Sequence, residues 1–360
     1  MAKPVKAVGI VCPFIREGDD VASIVVDSLI NSGERIDDGD VVGITESVVA
    51  RAQGNYVTVD EIVEEIHSKF GEHPTLMLYK PIYSRNRFSV ILRAFARACD
   101  NLIIVMPYKD EVGNVVRNHP FTGLDYDDYY KKICSNEDCL CYIVEGLEGR
   151  YPYGDNFYQT LKKHPRLKVD GIIDCMLHNN GVSELSFSSA PIALYPLYTL
   201  YDFCTEKCEW GLLGSNKVND EKLKLFPSKG GAQAVCDMVK YEIKKRLGKD
   251  VVVCVYGDGA FKSPAYQGVS VWEFADPCAC PSYTNKELME SSPNEIKLKA
   301  LIDNKTDEEI HKALSENVVQ KASSMGTTPR LRRDLLASLF DLVSGSGDRA
   351  TPVVLVKNYF

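Results

Sequence analysis

The run Val251-Val252-Val253-Cys254-Val255-Tyr256 stops abruptly at Gly257-Asp258-Gly259. An unbroken apolar run suits a strand buried on both faces. The flanking glycines let a ligand approach the backbone. In open α/β sheets the C-terminal ends of strands are where ligands and ions bind. Asp258 is therefore expected at the end of a central strand, as a catalytic group and a magnesium-type ligand beside a phosphate. The structural alternative is a solvated aspartate in a Gly-Asp-Gly turn.

A second run, Asp38-Gly39-Asp40-Val41-Val42-Gly43-Ile44-Thr45-Glu46 through Arg51, reads as strand, turn and helix start. Thr45 or Glu46 falls near the N-cap. Backbone N–H groups at such a turn suit an anion, and Arg51 one turn on could pair with a phosphate. An ordinary capped helix with a surface arginine is the competing reading. A third polar set holds Arg85 and Arg87, then Asp110-Glu111 after the strand-like run Leu102–Met106, then His119 and Asp125. The arginines suit a substrate carboxylate or phosphate. Asp110 and Glu111 are candidate metal carboxylates, and His119 is read as structural.

The elements that must carry these groups alternate in an α/β manner. Strand-like runs are Val5–Val11, Val41–Ile44, Leu102–Met106, Val251–Tyr256 and Val353–Val356. Residues 19–32 place Val21, Ile24, Val25 and Leu29 on one helical face, with Gly33 as the stop. Thr58-x-x-Glu61 predicts a capping box. Residues 231–247 repeat the helical pattern and finish in Lys244-Lys245-Arg246 and Gly248, a cationic end that opposes the helix dipole. The segment 131–209 breaks the rhythm and is read as an insertion or subdomain between core parts 1–130 and 210–360.

The 360-residue chain is long enough for a large core. Its 42 Lys and Arg against 50 Asp and Glu leave a formal charge of −8, with no long basic run. No nucleic-acid or membrane partner is expected. No apolar stretch approaches the roughly 18 residues that span a bilayer, and the N-terminus reads directly as a strand, so a cytoplasmic protein is expected. Its 12 cysteines include Cys134-x₄-Cys139 and Cys204-x₃-Cys208, which only approximate zinc-knuckle spacing. Reduced thiols are the expectation.

With these runs in view the chain resembles the coenzyme F-420-0: L-glutamate ligase family. The resemblance rests on Gly18-Asp19-Asp20, on Asp38–Gly54, on Gly214-Ser215-Asn216 and on Val253–Gly268. It also rests on the final helix, the loop Ser344-Gly345-Ser346-Gly347-Asp348 and the last strand. The order of these blocks agrees, and together they cover about half the chain. Departures are Leu213 where an aspartate is usual, Arg51 where a lysine is usual, and Phe261-Lys262 in place of Gly-Arg.

The resemblance implies an α/β fold with a mixed sheet, a ligase core carrying a long insertion. It implies GTP-driven condensation of a small-molecule acid acceptor with L-glutamate through an acyl phosphate, with Mg²⁺ or Mn²⁺, in a homodimer. On that reading Asp258, Asn216 and Arg85 are catalytic or substrate-binding. Pro13, Phe14, Thr45, Glu46, Arg51, Ser344, Gly345, Gly347 and Asp348 bind nucleotide, and Asp258, Asp110 and Glu111 bind metal. Residues 71–209 are expected to select an acceptor other than the deazaflavin coenzyme. A folate or amino-acid acceptor, and a non-catalytic nucleotide-binding regulator, are the alternatives.

Overall fold

The computed structural model describes residues 3–79, 85–106, 117–119, 122–145, 168–175, 184–185, 195–257, 306, 309, 332–345 and 349–359. In chain order these begin with β1 (Lys6–Ile10), α1 (Val21–Asn31), β2 (Val41–Thr45) and α2 (Glu46–Ala52). There follow β3 (Tyr56–Thr58), α3 (Val59–Phe70), β4 (Thr75–Tyr79), α4 (Arg85–Ala98), β5 (Asn101–Met106) and α5 (Tyr126–Asn136). Next are β6 (Leu140–Glu145), β7 (Gly171–Asp174), β8 (Glu184–Leu185), β9 (Tyr195–Thr199), β10 (Ser215–Asn219) and β11 (Lys222–Leu225). The chain closes with α6 (Lys229–Leu247), β12 (Val252–Tyr256), α7 (Arg332–Val343) and β13 (Val353–Lys357). The fold is mixed α/β, as expected.

The described residues within Met1–Asn55, Phe226–Phe261 and Val271–Phe360 form one compact unit. Its sheet runs β1-β13-β2-β12. β13 is antiparallel to both β1 and β2, whereas β2 and β12 run parallel with Thr45 opposite Tyr256. Burial of β12 comes from a helix on each side. α6 packs against it, and the Phe340 ring of α7 lies 5.0 Å from that of Tyr256. The expectation of a strand covered on both faces therefore holds. Among the described residues β12 pairs only with β2 and ends the row.

The predicted helix signals are realised as local chemistry. Thr58 and Glu61 form the reciprocal capping box that opens α3. Gly248 closes α6 in the left-handed region at φ 71°, a conformation that costs glycine least. The basic end of α6 is engaged in ion pairs, Arg246 with Asp27 at 2.7 Å and Lys245 with Glu242 at 3.1 Å.

The other unit lies within Tyr56–Leu225. Its main sheet runs β6-β5-β4-β7-β9-β8, parallel except for the β8–β9 pair. Residues 131–209 supply β6 to β9 of that sheet. Met77, Tyr79, Ile103, Val105, Ile172 and Leu197 form one of its apolar clusters. A separate three-stranded sheet, β10-β11-β3, is antiparallel. Described cysteines are unbridged. Hydrogen bonding to Cys139, then to Cys141, holds the Cys134 thiol up from its ordinary value.

Candidate functional site

The register of the four-stranded sheet brings several distant segments to one rim. β2 and β12 finish there, at Thr45 and Tyr256. β13 begins there, with Val353 opposite both Ile44 and Ile10, so β1 finishes there too. Backbone bonds then lace the adjoining loops together. Cys12 N donates to Ala350 O at 2.8 Å, Thr45 N to Pro352 O at 3.0 Å and Gly345 N to Thr351 O at 3.2 Å. Pro13, Phe14, Thr45, Glu46, Ser344 and Gly345 therefore share a neighbourhood although they span the whole sequence.

Arg51 joins the same neighbourhood through α2. Its guanidinium carbon lies 4.8 Å from the Phe14 ring centroid, and Nη1 donates to Ile15 O at 3.4 Å. Gly18 N donates to Ala52 O at 2.8 Å, which fixes the loop after β1 against the end of that helix. Thr45 is the N-cap of α2, but its hydroxyl makes no capping bond. Arg16 also reaches this ring, its guanidinium carbon 5.9 Å from the centroid, and Phe14 is 70% exposed, so a cation-backed ring is presented at the surface. A stacked arginine and aromatic present positive charge and a flat apolar surface together.

Glu46 differs from its neighbours because it is buried, at 4% exposure. Its side chain lies against Gly257, the residue that follows β12. Burial pushes the nearby Tyr256 phenol up, opposed by the neighbouring Ser344 hydroxyl. Asp258, Asp110, Glu111, Gly347 and Asp348 lie outside the described residues, as does the side chain of Arg85. No group of three or more His, Cys, Asp or Glu side chains that could hold a metal ion occurs among the described residues. A single buried carboxylate does not hold a divalent ion by itself.

Asn216 belongs to the other unit, on β10 just after a short 3-10 turn at Gly211–Leu213. That turn is tied down from α4. The buried Arg87 donates through Nη1 to Leu213 O at 2.8 Å and to Ser215 O at 3.2 Å. The Ser215 hydroxyl donates to Leu212 O at 2.6 Å. Arg87, expected from sequence to meet a substrate anion, instead has this nitrogen committed to main-chain carbonyls.

Sequence reasoning passed over Lys224, which lies opposite Asn216 in the β10–β11 register. The available signal was the alternation Lys222-Leu223-Lys224-Leu225, which puts both lysines on one face of a strand. His119, read as structural, accepts at Nδ1 from Thr122 N at 3.1 Å within a local turn.

The coenzyme F420:L-glutamate ligase of Methanothermobacter thermautotrophicus (strain ATCC 29096 / DSM 1053 / JCM 10044 / NBRC 100330 / Delta H) is 33% identical over 70 residues. The match covers 18% of this chain and 28% of that relative's length. A family model described as F420-0:Gamma-glutamyl ligase matches residues 9–358, and the chain belongs to that family.

Proposed function

We propose that the protein is a GTP-dependent γ-glutamyl ligase that joins L-glutamate to a small acidic acceptor. The observation that carries the reading is the convergence of the Cys12–Arg16, Thr45–Arg51 and Ser344–Thr351 segments on one sheet rim. The family match and the name of the similar Methanothermobacter enzyme support the same chemistry.

On this reading an acceptor carboxylate oxygen attacks the γ-phosphorus of GTP, GDP departs and an acyl phosphate forms. The amine of glutamate then attacks the acyl carbon, phosphate leaves and an amide remains. Such transfers depend on positioning and on balancing charge between two anions. Arg51, held over Phe14, supplies a cation to the phosphates, while the exposed ring of Phe14 offers stacking to a base. Asn216 and Arg85 are assigned to substrate. Asp258 is assigned to hold Mg²⁺ or Mn²⁺, which would screen the carboxylate from the triphosphate when bound.

The test is turnover. Purified protein with GTP, Mn²⁺ and L-glutamate is assayed for phosphate release against a panel of acids that includes the deazaflavin precursor, folates and amino acids. Glutamate-dependent release with at least one acid is expected, with loss of activity in Asp258→Asn. GTP binding without turnover on any acceptor would favour a regulatory nucleotide-binding protein instead.

A further inference from the structure

Strands β4, β5 and β6 run parallel, with α4 between the first two in the chain and α5 between the last two. Both helices therefore begin at the carboxyl-end edge of the sheet, the edge where open α/β sheets take their ligands. β4 is also the strand at which the order turns, with β5 on one side and β7 on the other. At this edge lies a cavity of about 400 Å³. It is lined by Asn86 at the start of α4, by Thr122, Gly123 and Leu124 just before α5, and by Tyr129 in the first turn of α5. That volume suits a small molecule.

The walls of this cavity are fixed. Phe88 of α4 and Tyr130 of α5 are fully buried and meet edge to face at 5.3 Å, which holds Asn86 and Tyr129 beside them. The turn before α5 is closed by His119 N donating to Leu124 O and Gly123 N donating to His119 O, both at 2.9 Å. Gly123 takes the left-handed φ of 68° that the turn requires. The Asp125 carboxylate caps α5 by accepting from Asp127 N and Asp128 N.

The lining chemistry is specific. Among the described residues neither the Asn86 carboxamide nor the Tyr129 hydroxyl has a hydrogen-bond partner. Ser89 uses only the main-chain oxygen of Asn86, and Tyr129 is engaged through its ring, 5.9 Å from that of Tyr130. A carboxamide offers a donor beside an acceptor. It complements a ring edge with an N–H beside a C=O, and can hold such an edge by two bonds, as asparagine holds adenine. Tyr129 and Leu124 add apolar surface for the face of the ring. None of the described lining residues is charged, so the cavity suits an uncharged group.

We propose that this cavity binds the ring of the acid acceptor, a flat uncharged ring whose edge carries an N–H beside a C=O. The inference rests on the ligase reading, which supplies an acid acceptor. Of the three substrates in that reading, glutamate is aliphatic and the guanine base is offered Phe14. The acceptor is the one whose ring has no surface yet assigned.

Calorimetry without GTP or glutamate is run with three probes that share such an edge, 5-deazariboflavin, pteroic acid and guanosine, on wild type, Asn86→Leu and Tyr129→Leu. The deazaflavin or the pteroate is expected to bind wild type. Its affinity should fall about tenfold in Asn86→Leu and at least about fivefold in Tyr129→Leu, with guanosine bound more weakly than either. Thermal unfolding confirms that the variants fold. Asn86 is exposed, so its variant keeps the fold and decides the matter alone if Tyr129→Leu does not. Failure of both the deazaflavin and the pteroate to bind, or equal affinity in wild type and Asn86→Leu, would overturn the inference. Tightest binding of guanosine would also overturn it, by making the cavity a site for the base. Glutamate-dependent turnover that Asn86→Leu leaves unchanged would overturn the inference and keep the ligase reading. Ring binding that Asn86→Leu weakens, with no turnover on any acid, would keep the ring site and overturn the ligase reading.

Discussion

Glu46 and Gly257 touch where two parallel strands end side by side. A Cβ built on Gly257 would lie 2.5 Å from Glu46 Cγ and 3.3 Å from Glu46 Cβ. The backbone at 257 is not left-handed, so this close approach, and not conformation, excludes a side chain. Gly257→Ala is expected to destabilise the protein by about 1–3 kcal/mol, the usual cost of overpacking. In a double-mutant cycle with Glu46→Ala the penalty should shrink, because the nearer opposing atom, Cγ, is gone. Urea unfolding of the four proteins checks this, and simple additivity would refute the contact as the cause.

Arg51 stacks on the exposed Phe14 ring and reaches Ile15 O with one nitrogen. Its cation–π contact is worth only about 0.5–1 kcal/mol at such a surface, so Arg51→Ala should leave the melting temperature nearly unchanged. If Arg51 faces the phosphates, the same variant should bind GTP–Mg²⁺ at least about tenfold more weakly, the range expected for a lost charge-assisted bond. Calorimetry separates the two effects. Unaltered GTP affinity would remove Arg51 from the nucleotide site.

The rim and the turn held by Arg87 differ in how far the sequence revealed them. Val41–Ile44 and Val353–Val356 are apolar runs whose burial on both faces follows from composition, and their observed limits extend each by one residue. The cap at Thr58 and the stop at Gly248 were legible because the chemistry is local. The pairing of β12 with β2 among the described residues was not legible, since strand order depends on pairing between segments far apart in sequence. Arg87 was misread for a related reason. Its partners Leu213 O and Ser215 O are main-chain groups more than a hundred residues away, and no side-chain motif announces them.

Arg87 bridges two carbonyls from a buried position at 4% exposure. Replacement by methionine would leave both acceptors without this donor, at a cost of about 1–3 kcal/mol for each buried group stranded. Arg87→Met is therefore expected to be among the most destabilising single changes in its unit. Arg87→Lys should recover part of the loss, since an ammonium keeps charge and donors but not the planar fork. Denaturant midpoints measure the series, and a methionine variant as stable as wild type would show that the turn holds itself.

Arg97 gathers carboxylates from several elements, with Asp60 of α3 at 2.8 Å, Glu137 at 2.9 Å and Glu221 at 3.0 Å. Arg93 meets the same Glu221 at 2.8 Å. The hydrogen bond from Arg97 is the main reason that the Glu221 carboxyl lies below its ordinary value. The sign of the pH effect follows. A depressed folded-state pKa stabilises the protein above the unfolded-state value, about 4.3, and that contribution is lost as pH falls through the lower folded-state value. The Glu221 side chain is 52% exposed, so solvent limits the effect to about 1 kcal/mol or less. Glu221→Gln should therefore melt below wild type at pH 7, and the two curves should converge in acid beneath the carboxylate range. Raised salt should narrow the gap at pH 7 through screening. A gap that persists unchanged into strong acid would mean that the glutamate acts through packing, with its charge irrelevant.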